Sequence, residues 1–147
     1  MDNVKRTLNM IRAALIFAIA IYMFIGERVA VGTVGPVNAM LFQILAVVAV
    51  VNIVVILIVR HSMVMPALAV LQRDPGDSAA SRRWRGGYIV TYALCEAIAL
   101  YGFVLRIMGF SYRRIVPFYL ASFILLIFLS PRVPQGERPP ATASPAV

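Results

Sequence analysis

Few side chains in this 147-residue chain can do chemistry. There are six carboxylates, one histidine (His61) and one cysteine (Cys95). One cysteine excludes an intrachain disulfide and any Cys-x-x-Cys redox or zinc pair. One histidine excludes a metal site built from several His and Cys ligands. No glycine loop able to cradle phosphates is present. Five carboxylates (Asp2, Glu27, Asp74, Asp77 and Glu137) lie outside the apolar runs, so paired-carboxylate chemistry is not expected. Glu96 is the exception, because it lies inside an apolar run of 18 residues, Tyr88 to Leu105. A charge at the centre of a membrane helix costs at least about 2.5–3.5 kcal/mol, so Glu96 must be protonated, paired or beside a wet cavity.

The elements that position Glu96 follow from composition. Hydrophobic residues make up 61% of the chain, charged residues 14%, and mean hydropathy is +0.86. A soluble domain is about 25% charged. The chain therefore reads as an integral membrane protein, all-α because a lone strand in lipid leaves its backbone unsatisfied. Four apolar segments predict four transmembrane helices, at about 7–26, 37–59, 87–106 and 112–130. The first competes with a signal peptide, but Glu27 and Arg28 stand where cleavage would fall, which favours a retained helix. Arg12 is expected to snorkel to the headgroups, and Pro117 to be tolerated in the first turns of the fourth helix.

A polar loop is expected over 60–86, with turn chemistry at Asp74-Pro75-Gly76-Asp77 and a short interfacial helix at 66–71. The tail 131–147 holds five prolines and reads as disordered. Ten Lys and Arg fall on the side of the termini and that loop, and four on the other. Both termini are therefore expected in the cytoplasm, and the membrane is expected to be a bacterial inner membrane. The net charge of +8 points to anionic lipid headgroups rather than nucleic acid. Arg82, Arg83, Trp84 and Arg85 are the expected headgroup contacts.

Depth along the helices suggests a site. Glu96 lies eight residues past Tyr88, roughly 12 Å into the third segment. Asn52 and Ser122 each lie seven residues from the same boundary, roughly 10 Å deep. Tyr92 is one turn before Glu96 on the same face. Glu96, Asn52, Ser122 and Tyr92 are therefore the candidate proton- or ion-binding layer. The same four groups also suit interhelical hydrogen bonding, with Glu96 protonated against Asn52 or Ser122. His61, Met63 and Met65 could suit Cu(I), but methionines at an apolar edge read as packing, so neither a metal nor a cofactor is expected.

Residues 93–104, Ala-Leu-Cys-Glu-Ala-Ile-Ala-Leu-Tyr-Gly-Phe-Val, resemble the carboxylate-bearing second helix of the rotary ATP synthase c subunit. That helix carries A-L-x-E-A-x-x-x-Y-G-x-V. Gln72-Arg73-Asp74-Pro75 is similar to its Arg-Gln-Pro turn. The resemblance, over residues 72–105, implies that Glu96 binds a proton and that Arg73 and Pro75 face the cytoplasm. Segment two departs from that family in having no glycine. Four short helices with one membrane glutamate also resemble small multidrug-resistance exporters, whose glutamate is in the first helix rather than the third.

No nucleophile constellation is present, which argues against an enzyme. The expected role is a helix-packing or accessory subunit, in a homo-oligomer or a larger membrane complex. The alternative is a proton or small-cation carrier centred on Glu96.

Overall fold

The structure is a computed structural model that describes residues 2–29 and 38–131. The expected disordered tail lies, apart from its first residue, outside the described residues. Every element among those described is helical: α1 (Asp2–Val29), α2 (Ala39–Val59), a π-helical turn (Arg60–Val64), α3 (Met65–Arg73), α4 (Ser78–Ile107) and α5 (Tyr112–Phe128). Three stretches are long and apolar enough to cross a membrane: Arg6–Val29, Ala39–Arg73 and Ser78–Ile107. They mark a multi-pass membrane protein.

α4 is the helix on which the others pack; α1, α2, α3, α5 and the π-turn all contact it. Its buried residues recur every three or four positions, from Ala80 and Trp84 to Gly102 and Leu105, the spacing of one helix face. α2 carries little polarity on any side, and its outward valines and isoleucines are exposed. An all-round apolar helix is stable where its surroundings are hydrocarbon.

The segment 60–86 is not a loop. α2, the π-turn and α3 form one rod of 35 residues, Ala39–Arg73, roughly 52 Å long at 1.5 Å per residue. α4 already begins at Ser78, which leaves Asp74–Asp77 as the connection. α3 thus continues α2 rather than lying as a separate interfacial piece. The reason is packing: Ala67 and Leu71 of α3 are buried in one core with Ala80 and Trp84 of α4. The turn chemistry is as expected from its residues. Asp74 Oδ1 accepts from the Gly76 N–H at 2.9 Å, and Asp77 Oδ1 caps α4 by accepting from Ala79 and Ala80 at 2.8 and 3.0 Å.

Gly86-Gly87 lies within α4 rather than before it. The two glycines differ. A Cβ at Gly87 would stand 2.7 Å from Val64 Cγ2 on the π-turn, whereas one at Gly86 would meet nothing within 4 Å. Alanine in a helix interior gains about 1 kcal/mol over glycine, while forcing a methyl into a filled contact costs about 1–3 kcal/mol. Gly86→Ala should therefore stabilise the protein by about 0.5–1 kcal/mol. Gly87→Ala should destabilise it by about 1–2 kcal/mol, and Val64→Ala in the same chain should restore most of that loss. Unfolding in a detergent–SDS titration followed by circular dichroism measures all three. Equal effects at the two glycines would refute the close approach.

α4 ends in a reversal that only its backbone could build. Gly109 has φ 88°, the Phe110 N–H donates to Leu105 O at 3.1 Å, and the Gly109 N–H donates to Arg106 O at 3.0 Å. This is the Schellman arrangement with glycine in the left-handed region. It turns the chain into α5, which runs back along α4. Pro117 sits inside α5 and gives up the hydrogen bond to Arg113 O. The exposed ring leaves the helix otherwise intact.

Candidate functional site

Glu96 sits midway along the apolar part of α4 and is half-buried. Its partner is Tyr22 of α1, whose hydroxyl donates to Oε1 at 2.8 Å. The Tyr22 ring lies against Phe103, about two turns further along α4, with centroids 5.5 Å apart. A phenol fixed in this way serves as a positioned donor to a carboxylate.

The other expected members of the polar layer pair elsewhere. Asn52 Nδ2 donates to the Tyr101 hydroxyl at 3.2 Å, joining α2 to α4. Ser122 Oγ donates to the Cys95 carbonyl at 2.6 Å, joining α5 to α4, and its side chain is fully buried. Tyr92 is 1% exposed, and its hydroxyl has no hydrogen-bond partner among the described residues. Depth suggested that Ser122 joins Glu96 in one layer; Ser122 instead meets the carbonyl of the preceding residue, Cys95, and rotation separates it from the Glu96 side chain. Successive residues of a helix differ by about 100° in direction, so Cys95, Glu96 and Tyr101 address three different neighbours. Asn52 meets α4 five residues beyond Glu96, roughly 7.5 Å further along the axis. The result is three interhelical pairs, each tying a different helix to α4.

Tyr22 and Tyr101 are the residues that the sequence reading missed. Their signal was present: each is a tyrosine with a polar tip inside an apolar run, and a buried phenol normally finds a partner.

The aromatic residues at the other end of α4 also depart from expectation. Trp84 is 2% exposed and packs edge-on against Tyr88 at 5.2 Å, and the Tyr88 ring meets that of Tyr92 at a tilt, with centroids 6.0 Å apart. Trp84 points into the protein and does not reach headgroups, because its position falls on the buried face of α4. Arg82, Arg83 and Arg85 fall on the other faces and are exposed. His61 and Met65 are exposed on the rod formed by α2 and α3, and Met63 is half-buried. No group of three His, Cys, Asp or Glu that could hold a metal occurs among the described residues.

At the far end of α4, Arg106 Nη2 meets Glu27 Oε2 at 2.9 Å, and Nη1 donates to Phe110 O at 3.0 Å. This ion pair closes α1 on α4 just before the reversal. Gly26 permits the approach, since a Cβ there would stand 3.2 Å from Arg106 Cγ.

The arrangement offers one carboxylate with one phenolic donor, midway along an apolar helix. That is a hydrogen bond between helices, or a site where a proton can rest. The turn and helix that resemble the c-subunit hairpin are joined here as α3, Asp74–Asp77 and α4, but Glu96 is turned towards a further helix, α1. No family model, no curated protein and no solved structure matches this chain.

Proposed function

We propose that this chain is a four-crossing protein of a bacterial inner membrane and acts as a helix-packing accessory subunit. α5 is the fourth crossing, and both termini and the turn Asp74–Asp77 are cytoplasmic. One feature supports the crossing. α5 runs beside α4 from Ile115, near Gly102, to its end at Phe128, and just beyond it the Ser130 carbonyl accepts from the Tyr88 hydroxyl at 3.5 Å. It is thus coextensive with the apolar run of α4. The ten-to-four excess of Lys and Arg supports the orientation.

The observation that carries the role is the pairing itself. Tyr22–Glu96, Asn52–Tyr101 and Ser122–Cys95 each spend the polarity of an apolar zone on a contact between helices, which is how polar groups serve assembly in lipid. Glu96→Gln keeps an acceptor for Tyr22 and should be tolerated. Glu96→Leu removes it and should lower the yield of assembled, monodisperse protein several-fold, read by size exclusion in mild detergent.

Carbodiimide labelling of Glu96 across pH, read by mass spectrometry, separates this reading from the carrier. No labelling at any pH accords with a sealed contact. Labelling that falls with a midpoint near or above neutral, with Glu96→Gln abolishing proton flux in a folded protein, would replace the accessory role with proton or cation transport.

A further inference from the structure

α2 and α5 both pack on α4, and an apolar groove of about 240 Å³ opens between them. Its shape follows from residue size. At one end Phe42 of α2 reaches across, stacking on Phe110 of the reversal with centroids 5.8 Å apart and meeting Phe118 of α5 edge-on at 6.0 Å. Further along, Ala46, Ala49 and Ala121 are too short to meet, and Ile98 of α4 lines the space they leave.

The dimensions of the groove say what fits it. From Phe42 to Ile53 it follows eleven positions of α2, roughly 16 Å. Half of a ~30 Å hydrocarbon core, one leaflet, is about 15 Å. The groove therefore begins at one membrane surface and ends near the midplane. A transmembrane helix runs through both leaflets and is about 10 Å across, so it needs a longer and wider seat. One acyl chain, confined to one leaflet, does not.

The polar end of the groove selects the headgroup. Arg114 lines the groove and immediately precedes the apolar part of α5, which starts at Ile115. Arg114 is exposed, its guanidinium has no ion-pair or hydrogen-bond partner among the described residues, and the first turn of α5 holds no acidic residue. The carboxylates whose side chains are described are engaged elsewhere. Glu27 holds Arg106, Glu96 holds Tyr22, and Asp74 and Asp77 shape the turn at the far end of α4.

We infer that this groove holds one acyl chain of an anionic phospholipid, with Arg114 on its phosphate. A planar guanidinium pairs with two oxygens of a phosphate diester. The chain lies along the three alanines and gains dispersion contacts with both walls. The inference rests on α5 crossing the membrane; it is independent of Glu96 and of the accessory role.

The test uses the purified full-length chain in neutral detergent, with lipid binding read by native mass spectrometry. Phosphatidylglycerol should bind at least about tenfold more tightly than diacylglycerol with the same chains. Arg114→Gln should weaken phosphatidylglycerol about tenfold, while Arg113→Gln, next to it on α5 but outside the groove, leaves it unchanged. Ala121→Leu fills the groove and should weaken both lipids several-fold. Equal binding of the two lipids would overturn the proposal, as would equal losses for Arg113→Gln and Arg114→Gln. Displacement of the lipid by millimolar inorganic phosphate, or a dimer that Ala121→Leu disrupts, would overturn the acyl-chain assignment. In proteoliposomes, labelling of Ala121→Cys by a charged maleimide would refute the crossing of α5 itself, a failure distinct from loss of headgroup preference. If a variant does not fold, the comparison of the two lipids on the unaltered protein decides.

Discussion

Gly102→Leu is expected to part α5 from α4 and to destabilise the protein by about 3 kcal/mol or more. At this position a Cβ would stand 3.0 Å from Phe118 Cβ, 3.5 Å from Ile115 O and 3.5 Å from Tyr119 Cζ. The nearest is the root of an α5 side chain and the second is α5 backbone, and neither can swing aside; the third is the far end of the Tyr119 ring. Leucine adds three more carbons beyond that Cβ. Its gain in helix propensity is about 1 kcal/mol, well short of the strain. The damage should spread to Ser122, because the hydrogen bond to Cys95 O, two turns away, needs the same close approach. Unfolding by SDS in detergent should shift to a lower midpoint. Proteolysis should cut first in the reversal around Gly109. Phe118→Ala in the same chain should recover part of the loss, since it vacates space at the nearest contact. A wild-type midpoint for Gly102→Leu would mean that α5 does not pack on α4 as described.

The second large effect belongs to Arg106, at the end of α4 that leads into the reversal. Its side chain is 17% exposed, and it makes two hydrogen bonds, to Glu27 on α1 and to the Phe110 carbonyl in the reversal. Arg106→Leu removes both and leaves that carbonyl without its donor. The expected loss is about 2–3 kcal/mol. The Glu27 side chain is 47% exposed, and water screens such a group, so Glu27→Gln should cost less than about 1 kcal/mol. The inequality is the content of the prediction. It says that Arg106 acts mainly by bracing the reversal, with the ion pair as a lesser part. A double-mutant cycle in the SDS titration checks it, and equal losses for the two single variants would make the ion pair the dominant contact instead.

Much of this molecule was legible before any fold was seen. Apolar runs of 18 or more residues, too little charge to cover a soluble surface, and the cost of unpaired backbone in lipid together require membrane-crossing helices. The Asp-Pro-Gly-Asp turn was legible because its chemistry is local: an aspartate side chain reaches its own neighbouring N–H groups whatever lies beyond. Glu96 stood out because burial of a carboxylate is costly wherever the helix points. Segment 60–86 was misread because its charges suggested water, while the decisive contact, Val64 seated on Gly87, joins residues 23 positions apart.

The partners of the polar residues were decided only by tertiary structure. A sequence states depth well, since 1.5 Å per residue holds along any straight helix. It does not state rotation, because an apolar helix such as α2 has nearly the same residues on every side. Asn52, Glu96, Tyr92 and Ser122 therefore looked like one layer. Packing α1, α2 and α5 around α4 instead turned Glu96 to Tyr22, Asn52 to Tyr101 and Ser122 to a carbonyl. It also drew Trp84 inward. Depth is a property of one helix, whereas rotation is settled by which neighbour offers the better fit.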